Sequence, residues 1–391
     1  MNELIESYDT YKLLNETSKA FKLKLPKDVL DIHKLFKKNK FKLFVVGGAV
    51  RDALQNKKPK DFDLATDAKP EQVKKVINTK YKTIVVGKSE DLGVVVAVVN
   101  GEPYEIATFR TDVGKGRRPD SVEFTTIETD VKRRDLTING LFYDIDAGEI
   151  VDLVGGVEDM KNKVIRAIGD AKERFDDDPL RKMRAIRFAG RTNGKLDSGI
   201  IKALKADNSI NVSGERIRDE FKKSIEKAID VTYVLNLYND FGILDLIFKD
   251  LTVNKDFNDI KYWPLQLGLL LHMNSADDIK KKLNKINYTT EEVSLVMFLI
   301  DYKSLSDDTA YKLALKWVNV SNLKFDKKPI DKTILSKFAA IVGINKNLDK
   351  AFQKFTLSVK GGEVMKQYNI KGKDVGLKVK ELETANFKKL K

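Results

Sequence analysis

The hydrophobic pattern of this chain changes period once, and that change limits the fold more than any other feature. Up to about residue 150, short helical stretches alternate with β-rich runs; after Asp170, Leu, Ile and Phe recur at three- and four-residue spacings almost without a break. The spacing predicts a helix over 28–39 (DVLDIHKLFKKN), a strand over Phe41–Val46, a helix over 49–57, a short strand over Asp61–Ala65 and a Pro-opened helix over Pro70–Asn78. Strands follow at Lys82–Val86 and Gly93–Val99, and a hairpin turn at Asn100-Gly101 leads into Tyr104–Phe109. The first 150 residues are thus expected to be mixed α/β, with a sheet built largely from hairpins. The rest is expected to be helical, broken near Thr192–Asp197, Asn208–Ser213, Thr252–Trp263 and Asn319–Pro329. No internal repeat is evident.

Composition removes whole classes of chemistry. There is no cysteine, which excludes disulfides, a thiol nucleophile, iron–sulfur clusters and thiolate zinc. The two histidines, His33 and His272, are too few for a His₃ site, so any metal would be held by oxygen, which favours magnesium or calcium. The acidic N-terminus MNELIESYDT is no signal peptide, and the longest apolar runs, such as Gly93 to Val99, are too short to span a bilayer. The expectation is a soluble, cytoplasmic protein.

Net charge is +14, and its distribution is uneven. All 14 arginines fall between Arg51 and Arg218. Generic positive charge is written as Lys elsewhere, so the arginine window marks where a planar, forked donor matters, as in binding phosphates or bases. The last 71 residues, Ser321 to Lys391, carry 17 Lys, seven acids and no Arg. Such a field suits non-specific attraction to a nucleic-acid backbone.

Three constellations carry chemistry. Gly47-Gly48-Ala49-Val50-Arg51-Asp52 places two glycines between a strand and a helix, a geometry that turns free N–H groups toward an anion. Asp61-Phe62-Asp63 follows; on a strand both carboxylates would share one face with Phe62 turned into the core, a repulsive pair unless a cation lies between them. Two Mg²⁺ ions held there would suit in-line attack on a phosphate. Next, Arg133-Arg134-Asp135-Leu136-Thr137-Ile138-Asn139 joins paired arginines to polar groups suited to a polyphosphate and a ribose. Finally, in Asp177-Asp178-Pro179-Leu180-Arg181-Lys182-Met183-Arg184-Ala185-Ile186-Arg187-Phe188, Asp178 is an N-cap ahead of a first-turn proline. Arg181, Arg184, Arg187 and Arg191 then fall within an arc of about 120°.

In this order, GGAVRDAL, KDFDLAT, RRPDSVEF, RRDLTING, DLVGGVEDM, DPLRKMRAIRFAGR and ERIRDEF resemble the bacterial class II tRNA nucleotidyltransferases, the CCA-adding enzymes and their relatives the bacterial poly(A) polymerases. The resemblance covers about residues 40–220. It implies an α/β nucleotidyltransferase head with a mixed, largely antiparallel sheet over 1–150, then an all-α neck (151–215), body (216–320) and Lys-rich, tRNA-binding tail (321–391). It implies that Asp61 and Asp63 bind catalytic Mg²⁺, with Glu105 a candidate third carboxylate. Gly47, Gly48 and Arg51 would handle the triphosphate, and Arg133, Arg134, Asp135 and Asn139 triphosphate and ribose. Asp152-Leu153-Val154-Gly155-Gly156 would be a hinge, and Glu215 and Arg216 would stabilise the neck. Asp178, Arg181 and Arg184 would form an amino-acid template for the base. Asp177 stands where that family usually has Glu.

The template that the resemblance implies can be rebuilt from base chemistry. Cytosine and adenine each offer an amino donor beside a ring acceptor, whereas uracil and guanine offer a carbonyl beside a ring N–H. A carboxylate next to a guanidinium therefore pairs with C and A and mispairs with U and G. The expected activity is addition of CCA to tRNA 3′ ends from CTP and ATP with release of pyrophosphate. Poly(A) synthesis, or addition of CC or A alone, is the nearest alternative. The tRNA acceptor end, CTP and ATP are the expected partners, with no membrane and no protein partner.

Overall fold

The structure is a computed structural model that describes residues 22–84, 91–114, 121–254, 260, 262–325 and 328–391. Val85 and Val86 of the expected third strand and Arg117-Arg118-Pro119-Asp120 lie outside the described residues, as does the N-terminus up to Phe21. Among the described residues, nine strands precede the helical part: β1 Leu43–Val46, β2 Asp63–Thr66, β3 Lys82–Ile84, β4 Val94–Val99, β5 Glu102–Thr108, β6 Arg110–Val113, β7 Ser121–Phe124, β8 Leu141–Asp144 and β9 Glu149–Asp152. Seven form one sheet in the order β3-β4-β5-β2-β1-β8-β9, while β6 and β7 pair separately as a hairpin. Every neighbour in the large sheet is antiparallel except β2 and β5, which run parallel. The mixed, largely antiparallel sheet and the helical remainder are those expected.

Side-chain alternation divides the sheet cleanly. Leu43 and Val45 of β1 join Leu64, Val95, Ala97 and Ile106 in a core closed by Val29, Ile32 and Phe36 of the helix Lys27–Lys38 and by Val73, Val76 and Ile77 of the helix Pro70–Ile77. Phe44 and Val46, one residue out of phase, join Ala65, Phe109, Phe142 and Ile168 on the opposite face. The rings of Phe44, Phe109 and Phe142 meet there at centroid distances of 5.7 to 6.3 Å. β4 and β5 are joined by Asn100-Gly101, with Val99 opposite Glu102 and φ of 52° and 89°. A two-residue turn of this hand needs positive φ at both central positions, which Asn and Gly tolerate.

Chain contacts divide the molecule into two compact units, one running to Ala189 and including Gly194–Asp207, the other comprising Gly190–Asn193 and Asn208–Lys391. In the second unit, Phe221 is the hub of an aromatic cluster with Tyr238, Phe248 and Trp263 at 5.3 to 6.1 Å. The helix Thr290–Tyr302 opens with a reciprocal cap between Thr289 and Glu292. Toward the C-terminus, buried Glu383 accepts the N–H groups of Ser358 and Val359, both at 2.6 Å. Among the described residues no helix is long and apolar enough to cross a membrane.

One close approach ties β9 to the turn ahead of β8. The Asp152 carboxylate accepts the N–H groups of Val154, Gly156 and Val157 at 2.8 to 3.2 Å, closing the Leu153–Gly156 turn on itself. Gly156 is thereby pressed onto the Thr137–Asn139 turn, where a Cβ would collide with the Thr137 carbonyl. Gly156→Ala must move main chain rather than a flexible side-chain tip. The expected outcome is a loss of about 1–3 kcal/mol, read as a lower urea midpoint of the first unit. Unchanged stability would mean that the turn can yield.

Candidate active site

Three neighbouring strands collect the candidate residues at one end of the large sheet. β1 lies between β2 and β8, and its last residue, Val46, stands opposite Asp63 on one side and Phe142 on the other. The chain leaves β1 at Gly47, with φ of 60°, and enters the helix Gly48–Leu54. The Gly47 N–H donates to the Leu141 carbonyl at 3.1 Å, and a Cβ on Gly47 would stand 3.8 Å from the Asn139 carbonyl. The glycine turn therefore sits between Asp63 and Asn139. The first N–H groups of the helix it opens lack intrahelical acceptors, so this end of the sheet favours an anion.

β2 opens at Asp63, so Asp61 precedes the strand rather than lying on it, a correction to the expected element. Phe62 still packs against the helix-covered core. β5 runs parallel to β2 with Leu64 opposite Ile106, which makes Glu105 the neighbour of Asp63 one step earlier, on the same face. Both carboxyls titrate above the usual carboxylate value. Desolvation raises Asp63 and the charge of Asp61 raises it further, against the pull of Arg134. Desolvation raises Glu105 as well, followed by the charge of Asp63.

A shift in this direction means that burial and like charge oppose ionisation, and a bound cation relieves both. The donors are all carboxylate oxygens, which suits a hard divalent ion. Among the described residues, no three His, Cys, Asp or Glu side chains converge into a complete metal cage. The arrangement suits a cation that takes its remaining ligands from water or phosphate.

The arginines are held by buried acids. Asp130, on the helix Ile127–Lys132, accepts from Arg133 Nε and Nη2 at 2.9 and 2.7 Å and from Arg134 Nε at 3.0 Å. Burial pushes the Asp130 carboxyl up, but the charges of Arg134 and Arg133 outweigh it and hold it below the usual value. Arg134 also lies 4.6 Å over the Phe142 ring.

A second set closes into a ring. Arg51 Nη1 donates to Asn139 Oδ1 at 2.5 Å; Asn139 Nδ2 donates to Asp135 Oδ1 at 3.1 Å; Arg184 Nε donates to Asp135 Oδ2 at 2.7 Å. Arg184 and Arg51 both stand over Phe188, at 5.9 and 4.9 Å from its centroid, and Arg187 joins them at 4.3 Å. Arg51 is thus turned into the protein and braces Asn139 beside the glycine turn.

At the template segment, Asp178 Oδ1 caps the helix Leu180–Thr192 by accepting the Leu180 N–H at 3.2 Å. Arg181 donates to the carbonyls of Arg174 and Arg133 at 3.3 and 2.8 Å, and its nearest carboxylate is that of Asp177, at 3.6 Å. Its planar head is therefore fixed to the main chain that carries Arg133. In the second unit, Glu215 is exposed; Arg218 reaches it at 3.9 Å and Asp219 at 2.7 Å.

Sequence reasoning passed over Asp130 and Phe188. Asp130 was legible as an acid three and four residues before Arg133 and Arg134, a spacing that brings side chains together on a helix. No local signal pairs Phe188 with Arg51.

Comparison with known proteins identifies this frame. A family model described as the poly A polymerase head domain matches residues 43–166. The CCA tRNA nucleotidyltransferase 1, mitochondrial, of Danio rerio is 32% identical over 302 residues, which cover 73% of this chain and 69% of that protein. The chain belongs to the CCA tRNA nucleotidyltransferase family. A CCA-adding enzyme of Lactobacillus helveticus is 45% identical over 188 residues, 47% of this chain and 46% of its own length. The crystal structure of the Bacillus stearothermophilus CCA-adding enzyme in complex with CTP superposes with a TM-score of 0.68 at 25% identity, covering 93% of this chain and 91% of that one. The Thermotoga maritima CCA-adding enzyme complexed with tRNA shares the fold, with a TM-score of 0.66 at 19% identity over 93% and 92% of the two chains.

Within this nucleotidyltransferase frame, Asp135 has a testable electrostatic signature. Burial raises its carboxyl, but the charge of Arg184 and the bonds from Asn139, Arg184 and Leu136 bring it down to about 2. A depressed pKa contributes stability that is complete above the unfolded value and is lost as pH falls through the folded one. We expect Asp135→Asn to lower stability by about 2 kcal/mol near neutrality. The difference from wild type should shrink between about pH 4 and about pH 2, read from paired urea midpoints. A pH-independent difference would mean that the Asp135 charge is not what Arg184 stabilises.

Proposed function

We propose that this chain adds CCA to the 3′ end of tRNA from CTP and ATP, releasing pyrophosphate. The observation that carries this reading is the neighbourhood of the glycine turn, Asp63, Glu105 and Arg134 at one end of one sheet, in a chain of this family. The four-part division into head, neck, body and tail at residues 150, 215 and 320 belongs to the same reading, as does a cytoplasmic site of action.

In the reaction, the terminal 3′-hydroxyl oxygen of the tRNA attacks the α-phosphorus. The bond to the β-phosphate oxygen breaks, and the hydroxyl proton is given up as the new phosphodiester forms. Gly47 and Gly48 let the triphosphate approach main-chain N–H groups, and Arg133 and Arg134 neutralise it. Asp61 and Asp63, with Glu105 beside them, would hold a divalent cation, Mg²⁺ by the hardness of the donors. When bound, that ion supplies a more acidic hydroxyl and compensation for charge on the leaving oxygens. Asp135 and Asn139 would address the ribose. Asp178 and Arg181 read the base, with the Arg181 fork held by its two main-chain bonds, and Arg184 completes the template.

Incubation with tRNA lacking its 3′ CCA should yield products longer by C and CC with CTP alone, and by CCA with CTP and ATP together. Runs of A would favour a poly(A) polymerase instead. Asp61→Ala and Asp63→Ala should each reduce addition by roughly 100- to 1,000-fold or more while tRNA binding persists. Retained activity in both would remove them from the site. Arg181→Ala should raise the relative kcat/KM for UTP and GTP by about tenfold, because the mismatch penalty disappears with the donor. A uniform decrease for all four nucleotides would make that helix purely structural. In the tail, Lys380 and Lys388 are exposed on the helix Lys373–Lys388. Changing both to Glu should weaken tRNA binding and make its salt dependence shallower, by about one slope unit per lost phosphate contact. An unchanged slope would separate the tail from RNA.

A further inference from the structure

Asp130 is only 1% exposed and yet faces two guanidiniums. Its Oδ1 takes both near-side donors of Arg133 and the main-chain N–H of Arg110, the last at 3.2 Å; its Oδ2 takes Arg134. Arg133 Nε also reaches the Arg110 carbonyl at 3.1 Å, so the first residue of β6 is stitched to the same carboxylate. Arg110 in turn lies 3.0 Å from Asp112, which stands 3.9 Å from Arg133. The cluster therefore sets Arg110, Arg133 and Arg134 against Asp112 and Asp130, leaving one surplus positive charge.

An ion pair that served packing alone would need one cation. A second one in contact with the same buried acid adds desolvation and like-charge repulsion without need. A surplus cation fixed in place, with its rotamers already paid for by the fold, is instead what a polyanion requires. The seat is near the chemistry: Arg134 lies 4.6 Å over the Phe142 ring, and Phe142 stands opposite Val46, whose neighbour on the other side is Asp63. We propose that Asp130 is a positioning residue that holds the Arg133 and Arg134 guanidiniums as one preorganised seat for the triphosphate of the incoming nucleotide, whatever its base. This rests on the reading of Arg133 and Arg134 given above.

The test uses the full chain, tRNA lacking CCA, the four nucleoside triphosphates and inorganic tripolyphosphate, a probe with no base or ribose. Asp130→Asn keeps the shape and removes the charge. It should raise KM for CTP and ATP by one common factor of roughly tenfold, leave kcat within about twofold, and weaken inhibition by tripolyphosphate by the same factor. The ratio of CTP to UTP use should not change, since a phosphate contact carries no base information. A lower melting temperature and lower kcat with unchanged KM would show a structural acid only and overturn the proposal. If Asp130→Asn does not fold, Asp130→Glu, which keeps the charge on a longer stem, is read in the same way and should give a smaller rise in KM. Arg133→Ala and Arg134→Ala separate the two levels. If neither weakens tripolyphosphate inhibition, the reading of those arginines falls and the proposal with it. If both do and Asp130→Asn does not, only the role of Asp130 falls.

Discussion

The candidate active site depends on how Asp135 is held. This buried carboxylate takes Asn139 and the Leu136 N–H on one oxygen and Arg184 on the other. Asn139 passes the constraint to Arg51, which stands on the helix after the glycine turn, and Arg51 and Arg184 share the Phe188 ring. The circuit joins three segments far apart in the chain: the helix Gly48–Leu54 after β1, the turn before β8 and the helix Leu180–Thr192. A buried carboxylate left without such partners would protonate. The low pKa of Asp135 and the mutual orientation of these segments are thus two views of one interaction.

The same logic explains why the arginines cluster in the sequence. Arg51, Arg133, Arg134 and Arg187 are mostly covered by protein, and each is forked onto an acid or amide, stacked on a ring, or both. A lysine could carry the charge at these places but not the two-pronged geometry or the stacking. In the tail, where Lys380 and Lys388 face solvent, direction matters less and lysine suffices. At these four positions arginine supplies charge of fixed direction, which the exposed tail lysines do not.

How far the sequence was legible follows from the range of each interaction. The period-two alternation of Leu43, Phe44, Val45 and Val46 assigns each side chain to its face without knowledge of the partner strand. The Asn100-Gly101 turn and the Asp178 cap act within a few residues, and both stand where the sequence indicated. The start of β2 was less legible. Asp61 alternates correctly with Asp63, but the pairing with β1 ends at Val46 opposite Asp63, because the chain turns away at Gly47. Asp178 Oδ1 accepts the Leu180 N–H while Asp177 stands 3.6 Å from Arg181, so both acids of the Asp177-Asp178 pair border the start of this helix.

Least legible was the support behind the recognisable motifs. Gly156 has no φ that demands glycine; only the Thr137 carbonyl, nineteen positions earlier, shows why a methyl cannot be placed there. Phe188 reads as an ordinary apolar residue of a helix until the Arg51 guanidinium is seen above it. Motifs record the groups that would face a substrate. Their orientation is set by residues such as Asp130, Phe188 and Gly156, which face inward and act only through a neighbour. A site that binds a highly charged ligand needs this second set, because guanidiniums free to move would lose on binding the entropy that the folded protein has already removed. Substitution at these inward positions should therefore change the precision of the site before it changes its composition.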